Sequence, residues 1–98
     1  MSEQAFETLA DSLLESLEEE IDDAELQGGV LTVDGDDGTW VLNKHAPTRQ
    51  IWLSSPKSGA RHYAFDGASG LWKDTRGSGD LLSTLAGELG IPLAWQPE

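Results

Sequence analysis

Cysteine is absent from the 98 residues of this chain. Its absence excludes disulfides, thiolate metal sites, cysteine-ligated clusters and cysteine nucleophiles, and it fits a reducing compartment inside the cell. No apolar run approaches the roughly 20 residues that a membrane span needs, and the start of the chain is acidic where a signal peptide is basic. We therefore expect a soluble protein that is untargeted or already processed, with no membrane partner.

Positive charge is also scarce. Six Lys and Arg against 18 Asp and Glu give a net charge of −12, which repels phosphate backbones, so nucleic acid is not an expected partner. Thirteen of the acidic residues precede Lys44, whereas all six basic residues lie between Lys44 and Arg76. A surface segregated in this way attracts cations or basic partners, which an evenly acidic surface does not do.

The length predicts one domain over residues 1–98, since domains usually contain 100 to 150 residues. From Ser2 to Asp23 the apolar residues recur at steps of three and four, which predicts an amphipathic helix with Ser2 as its N-cap. Acidic residues form an exposed stripe beside the apolar one: Glu7, Asp11, Glu15, Glu18 and Asp22. Like charges spaced in this way cost a helix a few tenths of a kcal/mol per pair. With no Lys or Arg to relieve them, the stripe requires an explanation.

After this helix the periodicity changes. Short runs rich in β-branched and aromatic residues alternate with Gly, Asn and Asp turns, which predicts strands near 24–27, 30–33, 39–43, 50–54, 62–65 and 71–73. A second amphipathic helix is predicted over 80–89, with Ser78 or Asp80 as its cap and Gly90 as its stop. The expected fold class is α+β, a two-layer α/β sandwich in which two roughly parallel helices pack on one face of an antiparallel β-sheet.

One stretch carries a family resemblance. Residues 38–59, GTWVLNKHAPTRQIWLSSPKSG, resemble the signature of the frataxin family, and GVLTV at 29–33 resembles the strand that precedes it. The acidic first helix and the Leu-rich last helix follow the family's order, so the resemblance covers nearly the whole chain. It implies the same sandwich fold. It also implies an iron-binding accessory protein of iron–sulfur cluster assembly, from the bacterial cytoplasm or, as a processed chain, from the mitochondrial matrix.

The resemblance also implies site residues. Six positions match the family's acidic ridge, where iron (Fe²⁺ or Fe³⁺) binds: Glu15, Glu18, Glu19, Asp22, Asp23 and Glu25. Three match outward positions of the sheet, where a cysteine desulfurase and its scaffold are expected to dock: Asn43, Gln50 and Trp52. Carboxylates without His or Cys are hard ligands, so we expect weak binding that other divalent cations share. Independently, strand alternation directs Trp52 to solvent if Ile51 and Leu53 face the helices.

Two alternatives stay open on the sequence. A ferroxidase, iron-storage or iron-donor protein would use the same carboxylates, although the Glu-x-x-His pairs of preorganised di-iron centres are absent. A metal-independent acidic interaction module is the other. His45 and His62 lack the spacing of a metal site. We therefore expect a non-catalytic regulator, monomeric unless iron drives it to oligomers, with ferroxidase activity left open by the resemblance.

Overall fold

The computed structural model describes residues 1–97. Its elements are α1 (Glu3–Glu20), β1 (Ala24–Gln27), β2 (Val30–Gly35), β3 (Gly38–His45), β4 (Gln50–Ser55), β5 (Gly59–Asp66), β6 (Leu71–Asp74) and α2 (Leu81–Leu89), with a 3₁₀ turn at Ala46–Thr48. The six strands form one sheet in chain order, each antiparallel to its neighbours. Both helices pack on one face of it, so the predicted α+β sandwich is confirmed. Neither helix is long and apolar enough to cross a membrane.

The first helix begins as predicted and ends early. The Ser2 hydroxyl accepts a hydrogen bond of 3.1 Å from the amide of Ala5 and caps α1. The helix stops at Glu20, three residues before the predicted end, because Ile21 turns into extended backbone and buries its side chain in the core. Its last turn holds no basic residue. Further acidic residues at the negative end of the helix dipole would destabilise a continued helix.

The core lies between the sheet and the two helices. Every buried strand residue points to the helix side, so the other face of the sheet is left open. Trp40 and Trp72 are each 2% exposed and belong to this core. After α2 the chain has no regular structure as far as residue 97, and it crosses back over α1, where Trp95 Nε1 donates to Ser12 Oγ at 3.1 Å.

Candidate functional site

The predicted iron ligands lie along the C-terminal half of α1, which we call its lower end, and in the turn and strand that follow it. We call Glu15, Glu18, Glu19, Asp22, Asp23 and Glu25 the acidic ridge. Glu15 and Glu19 are exposed one helical turn apart on α1, and Asp22 and Asp23 are exposed in the turn before β1. The structure therefore brings these four carboxylates to one end of the molecule and leaves them open to solvent.

The other two ridge residues have different surroundings. Glu18 is half-buried, and its Oε2 accepts a hydrogen bond of 2.7 Å from the amide of Leu26, which joins α1 to the edge strand β1. Glu25 is exposed on β1 between Ala24 and Leu26, which both pack against the core. Because side chains alternate along a strand, Glu25 projects from the open face of the sheet, away from α1. One ligand oxygen of Glu18 is thus already engaged, and Glu25 is set apart from the helix.

The upper, N-terminal half of the acidic stripe is partly neutralised by one cation, contrary to the expectation that no basic residue relieves it. Lys44, from β3, places its Nζ 2.9 Å from Asp11 Oδ1 and 3.4 Å from Glu7 Oε1. The hydrogen bond to Asp11 raises the pKa of Lys44 above its ordinary value. This ion pair crosses from sheet to helix, so a search for partners within the helix could not find it. Uncompensated charge is therefore concentrated on the lower half of α1.

The acidic ridge offers ligands without a preformed cage. Within residues 1–97 no group of three or more Asp, Glu or His side chains is arranged to hold a metal ion. Exposed carboxylates suit hard, exchangeable cations, which complete their coordination with water. The donor chemistry fits iron held loosely at the surface and does not fit a tight structural metal.

Below the acidic ridge lies an acidic cleft that the sequence interpretation missed. This open cleft of about 500 Å³ separates the ends of both helices from the β2–β3 turn. The amide of Asp34 donates to the carbonyl of Asp23 at 3.1 Å and so ties that turn to the ridge. The sequence predicts residues 34–38 only as a turn between the strands at 30–33 and 39–43. The acidic residues that line the cleft are Glu20, Asp22, Asp23, Asp34, Asp36, Asp37 and Glu88.

The three predicted partner-binding residues meet on the open face of the sheet. Asn43 and Trp52 are directly paired across β3 and β4, and Trp52 Nε1 donates a hydrogen bond of 2.8 Å to Gln50 Oε1. Trp52 is half-buried, and its neighbours Ile51 and Leu53 are buried on the helix side, as the alternation of the strand predicts. The structure therefore groups all three side chains at the centre of the face.

Two histidines complete this group. The His45 imidazole stacks on one side of the Trp52 indole, with ring centroids 3.7 Å apart and planes within 13°. The His62 imidazole stacks on the other side at 4.3 Å and 8°. Their sequence spacing gave no reason to join them. The register of β3, β4 and β5, which pairs Trp52 with His62, was the information required. We call Asn43, His45, Gln50, Trp52 and His62 the docking face.

Two helices on one face of a six-stranded antiparallel sheet, with carboxylates at one end and an aromatic cluster on the open face, define an α+β sandwich of the frataxin type. The frataxin-like domain model matches residues 1–93. The chain belongs to the frataxin family.

Relatives and solved structures agree with this assignment. The chain is 43% identical over 79 residues to the mitochondrial frataxin homolog of Schizosaccharomyces pombe, covering 80% of this chain and 50% of that protein. It is 41% identical over 80 residues to the iron–sulfur cluster assembly protein CyaY of Pseudomonas aeruginosa, covering 74% and 73%. The chain thus spans about half the length of the mitochondrial relative.

Two structures show the same fold. The frataxin of Psychromonas ingrahamii superposes with a TM-score of 0.79 at 27% identity over 90% of this chain and 88% of its own. A trimeric frataxin from the yeast Saccharomyces cerevisiae, complexed with ferrous iron, superposes with a TM-score of 0.71 at 36% identity over 88% and 82%.

Proposed function

We propose that this protein is an iron-binding accessory protein of iron–sulfur cluster assembly. The observation that carries the proposal is the concentration of exposed carboxylates at the lower end of α1, since the one cation that pairs with the stripe within residues 1–97, Lys44, lies at its upper end. Family membership supports it, as do the ferrous complex of the yeast frataxin and the assembly role in the name of the Pseudomonas relative.

The ridge would bind Fe²⁺ or Fe³⁺ weakly and exchangeably. Carboxylate ligands on a solvent-exposed helix and turn hold an ion with little desolvation and no enclosed geometry, so other divalent cations compete for them. An ion held in this way can leave, which suits a protein that senses or delivers iron.

The partners in this proposal are a cysteine desulfurase and its scaffold protein. The ridge would attract basic groups of the desulfurase through its negative field, while the docking face would contact the assembly complex around Asn43, Gln50 and Trp52. Mitochondrial and bacterial relatives support action in the mitochondrial matrix or the bacterial cytoplasm.

An amide NMR titration with Fe²⁺ under anaerobic conditions tests the metal site. We expect line broadening confined to residues 15–25 and weaker binding by Glu15→Gln/Glu19→Gln. The variant Glu3→Gln/Asp66→Asn removes the same charge outside the ridge and should bind iron like the unaltered protein. Unchanged amide signals at 15–25 would reject the ridge as an iron site. An equal loss of iron affinity in both variants would mean that only the net charge of the protein matters.

A second titration, with the desulfurase–scaffold complex, tests docking. Signals of the acidic ridge and of the docking face should both change. If the complex perturbs the ridge while iron does not, the chain is a metal-independent interaction module.

Iron storage or ferroxidase activity is the second candidate, favoured by the trimeric state of the iron-bound yeast neighbour. Oxygen consumption on adding Fe²⁺, set against a protein-free control, separates the two. Multiple turnover together with iron-dependent oligomers in sedimentation would support storage, and a monomer without turnover would support the accessory role.

A further inference from the structure

The centre of the open sheet face carries no negative charge. Within the strands that the structure describes, the two cross-strand rows that contain the docking face have no Asp or Glu: Val30–Asn43–Trp52–His62 and His45–Gln50–Ala64–Lys73. Outward carboxylates occur only at the margins, on Asp34, Asp66 and the edge-strand residue Glu25. In a chain with a net charge of −12, this area stands out because it carries no negative charge of its own.

The stack also decides what a partner can touch. Both sides of the Trp52 indole are covered, by His45 and by His62, and its Nε1 is bonded to Gln50. A partner therefore cannot stack a ring or a cation on Trp52. It meets the ring edges and the imidazole nitrogens. These nitrogens are the chemically variable part of the surface, because histidine changes charge between pH 5 and 8.

On the His62 side, the neighbouring charges are one ion pair and, among residues 1–97, one unpaired cation. A groove beside His62 is lined by Arg61, Arg76 and Asp74. Arg61 is paired with Asp74 at 2.9 Å, and both lie on the helix side of the sheet because they are opposite the buried Leu53 and Tyr63. Arg76 is exposed and has no ion pair among residues 1–97.

On the His45 side, the nearest charges are one isolated cation and one ion pair. The cross-strand row of His45 ends at Lys73, which pairs with Asp66 at 3.1 Å. The isolated cation is Arg49, in the turn that connects β3 to β4, where its guanidinium donates to the carbonyl of Ala46. His45 Nδ1 lies 2.8 Å from Thr48 Oγ1, which leaves its Nε2 for a partner.

We propose that the docking face receives an acidic segment of a protein partner and that protonation of His45 and His62 around Trp52 strengthens this contact. The inference rests on the proposed docking function and adds the partner's charge and the switch. With both imidazoles neutral, a partner meets a polar aromatic cluster beside Arg76. With both protonated, two further positive charges lie on the two sides of one indole.

The size of the switch follows from Coulomb's law. A unit charge about 6 Å from a partner carboxylate in surface water changes affinity about threefold, so two imidazoliums change it about tenfold. The effect falls as salt is added, because the charges are exposed.

The probe is a blocked peptide of alternating Glu and Gly, titrated into ¹⁵N-labelled protein near pH 5.5 and near pH 7.5 at low, matched ionic strength. Its glutamates stay ionised at both values. We expect amide shifts centred on residues 45, 52 and 62 and a Kd about tenfold lower at the lower pH. A peptide of alternating Gln and Gly controls for uncharged contacts and should bind equally at both values.

The variant His45→Gln/His62→Gln keeps polar side chains that cannot be protonated. It should bind the acidic peptide equally at both pH values. A pH-independent Kd in the unaltered protein overturns the proposal, as does a pH dependence that survives in the variant. Circular dichroism verifies that the variant is folded, which is expected because both side chains lie on the open face.

The same comparison with the desulfurase–scaffold complex separates the two proposals. Binding that requires Trp52 but ignores pH would preserve the docking function and reject the switch. Failure of the complex to bind at either pH, with peptide binding still pH-dependent, would reject the docking function and preserve the switch as a property of the surface.

Discussion

Removing the Glu88 side chain should destabilise the fold more than removing any ridge carboxylate. Glu88, on α2, accepts hydrogen bonds from Trp40 Nε1 at 2.9 Å and from Ser55 Oγ. Trp40 is 2% exposed and Ser55 is 8% exposed, so both donors depend on this carboxylate. Ser55 Oγ in turn accepts hydrogen bonds from two amides of the β4–β5 turn. One carboxylate therefore joins α2, β3 and that turn.

The magnitude follows from the two donors. A hydrogen bond to an ionised group contributes about 1.5 to 3 kcal/mol, and a buried donor left without a partner costs a similar amount. Because Glu88 is half-buried and water can reach part of the gap, we expect Glu88→Ala to lower the free energy of unfolding by about 3 kcal/mol. For a chain of this length that corresponds to a fall in Tm of about 15 °C.

The pH dependence has a definite sign. Burial by itself raises the pKa of Glu88, but the hydrogen bonds from Ser55 and Trp40 outweigh it, so the pKa is lowered from its ordinary value of 4.5. A lowered folded-state pKa stabilises the protein above the unfolded-state value, and this contribution is lost as pH falls below about 4.5 toward the folded-state value. Glu88→Gln retains an acceptor without the charge and should remove this pH dependence.

Urea unfolding followed by tryptophan fluorescence near neutral pH measures the effect. Glu15→Ala is the matched control, since it removes an exposed carboxylate and should change the free energy of unfolding by no more than about 0.5 kcal/mol. A loss below about 0.5 kcal/mol for Glu88→Ala would refute the reasoning, because the two donors would then be satisfied without Glu88.

Lys44→Met should cost about 1 kcal/mol at neutral pH because two carboxylates lose their cation, whereas Lys57→Met should cost less than about 0.5 kcal/mol. The raised pKa of Lys44 means that its contribution is lost only above about pH 10.5, which urea unfolding against pH can verify. Trp52→Ala should leave Tm nearly unchanged and weaken binding to the desulfurase–scaffold complex in a calorimetric titration, and an unfolded variant would contradict its placement on the open face. Gly38→Ala should cost about 1 to 3 kcal/mol, since the glycine has φ +131° and an added Cβ would lie 2.8 Å from Pro56 Cβ. Gly87→Ala, on open helix surface, should instead stabilise by about 0.5 to 1 kcal/mol in the same unfolding assay.

Residue periodicity predicted the layers of the fold, because the apolar positions of both helices and of the central strands match their burial, although Leu71 of β6 is 37% exposed. It also predicted the orientation of Trp52, since alternation along β4 is a local rule. What the sequence could not supply was contact between distant residues. The pairing of Lys44 with Asp11 requires the packing of α1 on β3, and the stacking of His45 and His62 requires the register of three strands. The Glu88 junction joins residues 33 and 48 positions apart.

The acidic ridge and the cleft below it share a source of negative potential beyond their side chains. The cleft is lined by Glu20 and Ile21 at the end of α1 and by Glu88 and Leu89 at the end of α2. Helix C-termini carry partial negative charge, so two dipoles converge where the carboxylates are densest. No Lys or Arg lies among the cleft residues that the structure describes. Since Lys44 offsets part of the carboxylate charge at the other end of α1, we expect a cation approaching the molecule to be directed to the lower end, where its binding would relieve repulsion and stabilise the fold in the same step.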